Sequence, residues 1–468
     1  MDIISQMRKF VEPKSVALIG VPRQAKEEAF NILENLHSYG YQGRIYPVNP
    51  NASEILGVKA YPRVGEIAED VDLAVINLPR ELVPGVVKEC TDKGIEAITI
   101  VTQGFADASD DRSKQLQREI DDVIRGAGAR ILGPNTLGTA NAFTNFSSSF
   151  VKIKMERIPI GLICQSGVFY ANPDLHLLGK GIDLGNSCDI DFADGLEYFE
   201  QDADTKVVAL HIEGMRNAKR FLQVANRVAH KKPIVALKTG RSDYAAQADQ
   251  SHTGSLVGKD EIWDVALKQS GVIRVSDVEE LCDTVKAFSI LPPMKGRGIG
   301  IVTITGGFGV IGIDACQRFS LEVTEPSPVT LKQLSNMFPS WLAAGNPVDI
   351  WPAVMSSERP VKEAIKAIKK AVESLFSGSA VDAVLCICAI WAEADCTEFC
   401  QIVEELTQSY PNKLLVYYLY GPRAVEARAR LEERTKTLTF ASPDRAVRAL
   451  WHLANYSDLR FSPTPSLQ

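Results

Sequence analysis

His252 lies in the stretch Gln250-Ser251-His252-Thr253-Gly254-Ser255-Leu256, at the end of a polar run that begins at Gly240. Its neighbours are small and several bear hydroxyls, so the imidazole has few bulky groups around it and sits on a loop able to move. A nitrogen nucleophile presented in this way can accept a phosphoryl group at one place and deliver it at another. The same residues also suit a plain solvated loop, so the reading depends on what else the chain supplies. One candidate is Glu213, in Glu213-Gly214 after the apolar run Val207–Ile212. A carboxylate there either fixes the imidazole tautomer through one ring nitrogen or is an ordinary exposed glutamate. Two further candidates are strand–helix junctions, Cys164-Gln165-Ser166-Gly167 and Thr305-Gly306-Gly307-Phe308-Gly309. Gln165, Ser166 and Gly167 in the first, and Gly306, Gly307 and Gly309 in the second, would leave uncovered N–H groups at a positive helix end. Such an end suits phosphate, and Ser166 is a good capping residue. Each junction, taken alone, also reads as a simple strand–helix turn. Pro173 should cut the first helix short, and the second is expected over Val310–Gln317.

A second set of candidates marks the ends of predicted strands: Gly20; Val48 and Asn49; Pro79; Gln103 and Gly104; and Asn135 within Gly133-Pro134-Asn135-Thr136-Leu137-Gly138. Only Gly20 follows the first strand, so a dinucleotide-binding fingerprint fails. Glycine and proline at successive strand ends either form a rim that grips an elongated ligand or merely turn the chain.

Those loops need elements to hold them. Short β-branched runs at 15–20, 43–48, 73–78 and 97–102 alternate with stretches of helical spacing such as 82–93. The pattern returns at 158–164, 207–212 and 233–238, and again at 298–305, 383–389 and 413–420. This predicts an α/β chain of three consecutive doubly wound, Rossmann- or flavodoxin-like parallel sheets. The expected domains are 1–150, 151–292 and 293–468, with one helix running from the His252 loop to about Leu291 and Leu291-Pro292-Pro293-Met294-Lys295-Gly296 as a linker. Ligands of such sheets bind beyond the carboxyl ends of the strands.

At 468 residues the chain exceeds one core. A net charge of -7 leaves no basic surplus for a nucleic-acid backbone. Apolar runs are too short for a membrane span, and the start Met-Asp-Ile-Ile-Ser-Gln lacks a secretory pattern, so a cytoplasmic location is expected. Nine cysteines cannot all pair. Cys386 and Cys388 share one strand face with no ligand-spaced histidine after them, which favours buried thiols over a zinc site, and no metal is expected.

In their order, these motifs resemble the nucleoside-diphosphate-forming acyl-CoA synthetases, in particular the alpha subunit of ADP-forming acetate–CoA ligases, relatives of the succinyl-CoA synthetase alpha subunit. Val16–Gly20 and Tyr46-Pro47-Val48-Asn49-Pro50 are similar to the start of that family's CoA-binding domain, and Gly133–Gly138 to its closing turn. Gln165-Ser166-Gly167 is similar to a phosphate-cradling helix start, Ser251–Ser255 to the phosphohistidine loop, and Gly345-Asn346-Pro347-Val348-Asp349 to a third-domain motif. The resemblance implies CoA along Gly20, Val48, Asn49, Pro79, Gln103, Gly104 and Asn135. It implies an acyl-CoA or carboxylic acid and phosphate as substrates, and a phosphohistidine at His252 held by Glu213 and the two helix starts. The chain shows no Walker-type loop, and the resemblance implies that ADP or ATP with Mg²⁺ sits in a separate ATP-grasp beta-type subunit, giving a hetero-oligomer. The chain departs from the pattern after Gly20, at Thr136, between Val168 and Leu184, and at Phe308. Those departures motivate the competing reading, a non-catalytic CoA- or acyl-CoA-binding regulatory paralogue.

Overall fold

A computed structural model describes residues 2–23, 31–242, 260–378, 380–434 and 437–461. The chain divides into two compact units, 1–285 and 286–468. Two large sheets and a two-stranded antiparallel ribbon, Glu54–Ile55 with Val58–Lys59, lie in the first unit, and one sheet lies in the second.

The first sheet has five parallel strands in the order Arg44–Val48, Ser15–Ile19, Leu73–Ile76, Ala97–Ile100 and Arg130–Leu132. The chain lays its second strand on one side of the first and the remaining three on the other. Ser15–Ile19, Leu73–Ile76 and Ala97–Ile100 are buried throughout. Helices covering both faces leave such strands no polar side, which is why they read as unbroken apolar runs. The covering helices have clear ends. Asn31 Oδ1 accepts the N–H groups of Leu33 and Glu34 to open Ile32–Tyr39, and Asp110 accepts that of Ser113 to open Asp111–Ala127. Gly40 and Gly128, at φ of 75° and 68°, close them in the left-handed region.

The second sheet repeats this order in seven strands: Ile273–Val275, Ile234–Lys238, Val207–Ile212, Ile160–Cys164, Lys180–Asp183, Thr139–Asn141 and Phe146–Ser147. The five from Ile160 onward are parallel. The last two strands at one side, Thr139–Asn141 and Phe146–Ser147, are antiparallel and come from the segment that follows the first sheet.

The third sheet is parallel, in the order Glu322–Val323, Gly298–Thr303, Ala383–Ala389, Leu414–Tyr420 and Leu438–Phe440. Val348–Asp349 pairs with the outer end of Gly298–Thr303. Asn346 fills the step this leaves, accepting the Ile301 N–H and donating to the carbonyls of Ile299 and Thr324.

The α/β architecture matches expectation, and most expected strands lie within two residues of the observed ones. The single helix expected after the His252 loop is instead two, Asp260–Gln269 and Val278–Ile290, with strand Ile273–Val275 between them. Gly271, at φ 73°, ends the first, and the Val272 N–H turns back to the Leu267 carbonyl. All nine cysteines are free thiols, with Cys386 and Cys388 buried in a central strand. Among the described residues no group of three or more His, Cys, Asp or Glu is placed to hold a metal ion. No helix among them is long and apolar enough to cross a membrane.

Candidate functional site

Strands Ile160–Cys164 and Val207–Ile212 are neighbours, and the order of the second sheet reverses between them. A crevice opens at such a reversal, beyond the carboxyl ends of the strands. Gln165-Ser166-Gly167 and Glu213-Gly214 are the residues at those ends. Gln165 Oε1 accepts the N–H of Glu213 at 2.8 Å and of Gly214 at 3.0 Å, so it acts as a brace between the two loops. Gly167 has a packing reason as well, since a Cβ there would stand 3.0 Å from the Leu137 side chain. One expectation changes: Ser166 makes no side-chain capping bond. As expected from Pro173, the helix it opens is short, Gly167–Ala171, five residues stopped at Asn172-Pro173. So short a helix sums few peptide dipoles, and its pull on an anion is correspondingly weak. His252, the expected nucleophile, lies outside the described residues.

Beneath this crevice sits a pair of buried nitrogen groups that motif reading missed. His211 stacks on Phe169 with centroids 4.0 Å apart, and its Nε2 lies 3.3 Å from Thr239 Oγ1. Burial, reinforced by the Lys238 charge, lowers its pKa to about 3, so the ring is neutral at physiological pH. Lys238 is buried too, and its ammonium donates to the Glu213 carbonyl at 2.8 Å and to that of Thr239. A fixed positive charge therefore lies directly behind the Glu213 backbone. Neither residue belongs to a recognisable motif, and each reads in sequence as one polar position in an apolar strand.

In the first sheet the reversal lies between Ser15–Ile19 and Leu73–Ile76. Gly20 stands there at φ 89°, and a Cβ would come within 2.1 Å of the Asn77 carbonyl oxygen. The Gly20 N–H lies 3.4 Å from the Val48 carbonyl, so Gly20, Val48 and Asn49 share one rim. Asn49 Oδ1 accepts the Asn51 N–H, and Pro79 opens the turn at Arg80–Leu82. Further along, Asp107 accepts the N–H groups of Gly104 at 3.0 Å and Phe105 at 2.9 Å. Asn186 Nδ2 donates to Asp107 at 2.7 Å, and Asn135 Nδ2 lies 3.4 Å from Asn186 Oδ1. The structure thus brings Gly104 and Asn135 together through Asp107 and Asn186, while Gln103 remains exposed beside them.

Asp183 locks these two groups of loops to each other. It is buried at the end of Lys180–Asp183, and its carboxylate accepts the Leu137 N–H at 2.7 Å and lies 3.8 Å from Cys164 Sγ. The Thr136 hydroxyl donates to its carbonyl. Burial raises the Asp183 carboxyl to about 6 despite these bonds.

In the second unit, helix Gly306–Arg318 starts with Gly306 and Gly307 exposed and without a capping bond from Thr305. Gly309 is there for packing, since its Cβ would lie 3.2 Å from Thr303 and 3.5 Å from Pro347. A carboxylate already faces this helix start. Asp349 Oδ2 lies 3.2 Å from where a Gly306 Cβ would be, and burial raises its pKa. Phe308 packs on Tyr418 and Tyr420 at 5.1 and 4.9 Å.

Three repeats of one strand order, with polar loops gathered at the reversals, define a doubly wound α/β protein. Residues 14–142 match the CoA binding domain family, and 157–288 match the succinyl-CoA ligase like flavodoxin domain. The alpha subunit of acetate–CoA ligase (ADP-forming) I from Pyrococcus furiosus is 33% identical over 458 residues, 95% of this chain and 96% of the relative. Acetate–CoA ligase (ADP-forming) II of Archaeoglobus fulgidus is 36% identical over 399 residues, 83% of this chain and 58% of its own. The acetate–CoA ligase (ADP-forming) of Methanocaldococcus jannaschii is 40% identical over 344 residues, 72% of this chain and 48% of its own. This chain thus spans about half the length of these last two. Acetyl-coenzyme A synthetase 1 of Ca. Korarchaeum cryptofilum, solved with phosphate and ADP, superposes with a TM-score of 0.86 at 27% identity, covering 97% of this chain and 98% of that one. The chain belongs to the family of ADP-forming acetate–CoA ligases.

Proposed function

We propose that this chain is the alpha-type component of an ADP-forming acyl-CoA synthetase, interconverting acyl-CoA, ADP and phosphate with a carboxylic acid, CoA and ATP. A phosphate oxygen attacks the thioester carbonyl, the C–S bond breaks, and acyl phosphate and CoA thiolate result. A ring nitrogen of His252 then attacks phosphorus, the P–O bond to the acyl group breaks, and the carboxylate leaves. A terminal phosphate oxygen of ADP takes the phosphoryl group from the imidazole, giving ATP. Glu213 orients the imidazole, with Gln165 and Lys238 steadying its backbone. Gln165-Ser166-Gly167 in the first unit and Gly306 and Gly307 in the second are the N–H donors for phosphate, the Gly309 N–H being given to the Thr305 carbonyl at 3.2 Å, and CoA lies along Gly20, Val48, Asn49, Pro79, Gln103, Gly104 and Asn135. ADP and Mg²⁺ belong to an ATP-grasp beta-type partner, making a hetero-oligomer. Supporting the partner, the chain matches a separate alpha subunit over nearly its full length, whereas it spans about half of two other relatives.

The observation that carries the reading is the Gln165 brace, which sets Glu213 beside the Ser166–Gly167 loop at the sheet reversal. The test is phosphorylation of the purified chain with an acyl phosphate. Wild type is expected to gain an acid-labile, base-stable phosphate that His252→Ala loses completely. Equal labelling of His252→Ala would sink the relay. Tight CoA binding without CoA-dependent ATP formation in the presence of a partner would favour the regulatory paralogue.

A further inference from the structure

Three loops of the candidate site in the first unit meet at one buried side chain, His211. It lies in strand Val207–Ile212, with Ile212 alone between it and Glu213. Its ring lies flat on Phe169, with centroids 4.0 Å apart and planes 16° from parallel. Phe169 belongs to the short helix that Ser166 opens, and its N–H reaches the Ser166 carbonyl at 3.1 Å. His211 Nε2 meets Thr239 Oγ1 at 3.3 Å. Thr239 follows the neighbouring strand Ile234–Lys238, and from there the sequence runs on to His252.

Five residues are too few for a helix to hold its own direction, so Gly167–Ala171 points where its tertiary contacts set it. The stack of Phe169 on His211 is one such contact, and the Nε2–Oγ1 contact ties the same ring to the next strand. His211 Nδ1, by contrast, is buried with no hydrogen-bond partner among the described residues. A buried ring nitrogen left unbonded costs stability, and a phenyl ring would stack on Phe169 without that cost. What the imidazole adds over phenyl is therefore the Nε2 contact.

Resting on the acyl-CoA synthetase reading, we propose that His211 is the clamp of this site, a positioning residue that holds the Ser166–Gly167 loop, Glu213 and Thr239 in one arrangement for phosphoryl transfer. It acts through these loops and not on the phosphate itself. Misplacing reacting groups by about 1 Å can cost about 10²-fold in rate.

The test times the labelling of His252 by acetyl phosphate in the purified chain and sets it against melting temperature at neutral pH. His211→Phe keeps the stack and loses the Nε2 contact. It is expected to label about tenfold more slowly at saturating acetyl phosphate, with a half-saturating concentration within about twofold of wild type and a melting temperature no lower. Thr239→Val should slow labelling to a similar degree, and the double variant no more than either, because both changes remove one contact. Labelling of His211→Phe at the wild-type rate overturns the proposal. So does a double variant slowed by the product of the single effects, or slowing that comes only with a lower melting temperature.

Hydrogen exchange separates the clamp from the ligase reading. His211→Phe should speed exchange at the amides of Phe169, Glu213 and Gly214. If wild type takes no label at all, the ligase reading fails and exchange decides the clamp alone: faster exchange at those amides upholds it, and unchanged exchange overturns it. Full labelling of wild type and His211→Phe alike does the reverse, keeping the ligase and ending the clamp.

Discussion

Two buried ionisable side chains pull the acid stability of the first unit in opposite directions. His211 has its pKa lowered from 6.5 to about 3, so between those values the unfolded chain binds a proton that the folded one refuses. Its contribution to stability is full above about pH 6.5 and is lost as pH falls toward 3. Asp183 is raised from 3.8 to about 6, so between those values the folded chain holds a proton that the unfolded one has released. Its effect is that stability falls as pH rises from 3.8 to 6. The two windows overlap, and wild type should show a muted response there. Melting temperatures between pH 4 and 6.5 check this: Asp183→Asn should become steadily more stable as pH rises, and His211→Phe steadily less. Parallel curves for all three proteins would mean that neither group titrates as its surroundings dictate. Neither role was legible beforehand, because a histidine in Val207–Ile212 and an aspartate ending Lys-Gly-Ile-Asp carry no spacing signal. By contrast Gln165, Glu213 and the strand-end glycines were legible, since they directly follow apolar runs.

At the level of strands and loops, the reversal in the first sheet depends on Gly20. Alanine there meets two penalties, a left-handed backbone costing roughly 1–2 kcal/mol and a clash of about 1–3 kcal/mol with the Asn77 carbonyl. Gly20→Ala should therefore destabilise the first unit by about 2–5 kcal/mol, as measured by denaturant titration. It should also weaken CoA binding while leaving acyl-phosphate labelling of His252 nearly intact, because the labelling loops belong to the second sheet. Loss of labelling in proportion to loss of CoA binding would show that the two sheets do not act separately. Element boundaries followed the sequence where β-branched residues cluster. They failed at Lys180–Asp183, Thr139–Asn141 and Ile273–Val275, short strands with few apolar residues whose existence depends on a neighbouring strand to pair with.

For the molecule as a whole, the division into 1–285 and 286–468 makes two cooperative blocks the natural expectation. Scanning calorimetry should resolve two endotherms, and Gly20→Ala should lower only one of them. A single transition that shifts as a whole would mean that the blocks unfold together. The recurrence of doubly wound α/β blocks could be read ahead of the structure, since each run of alternating strands and helices is visible as a pattern, whereas the strand order they share came from the structure. The edge ribbon could not. Thr139–Asn141 and Phe146–Ser147 arrive from the amino-terminal side yet complete the sheet that begins at Ile160. Cutting the backbone near residue 151 would therefore not release two self-sufficient pieces. One fragment would carry a stray ribbon and the other a bare sheet margin, each the complement of the other, so this position is a ready place to build a reporter whose halves regain shape only on meeting.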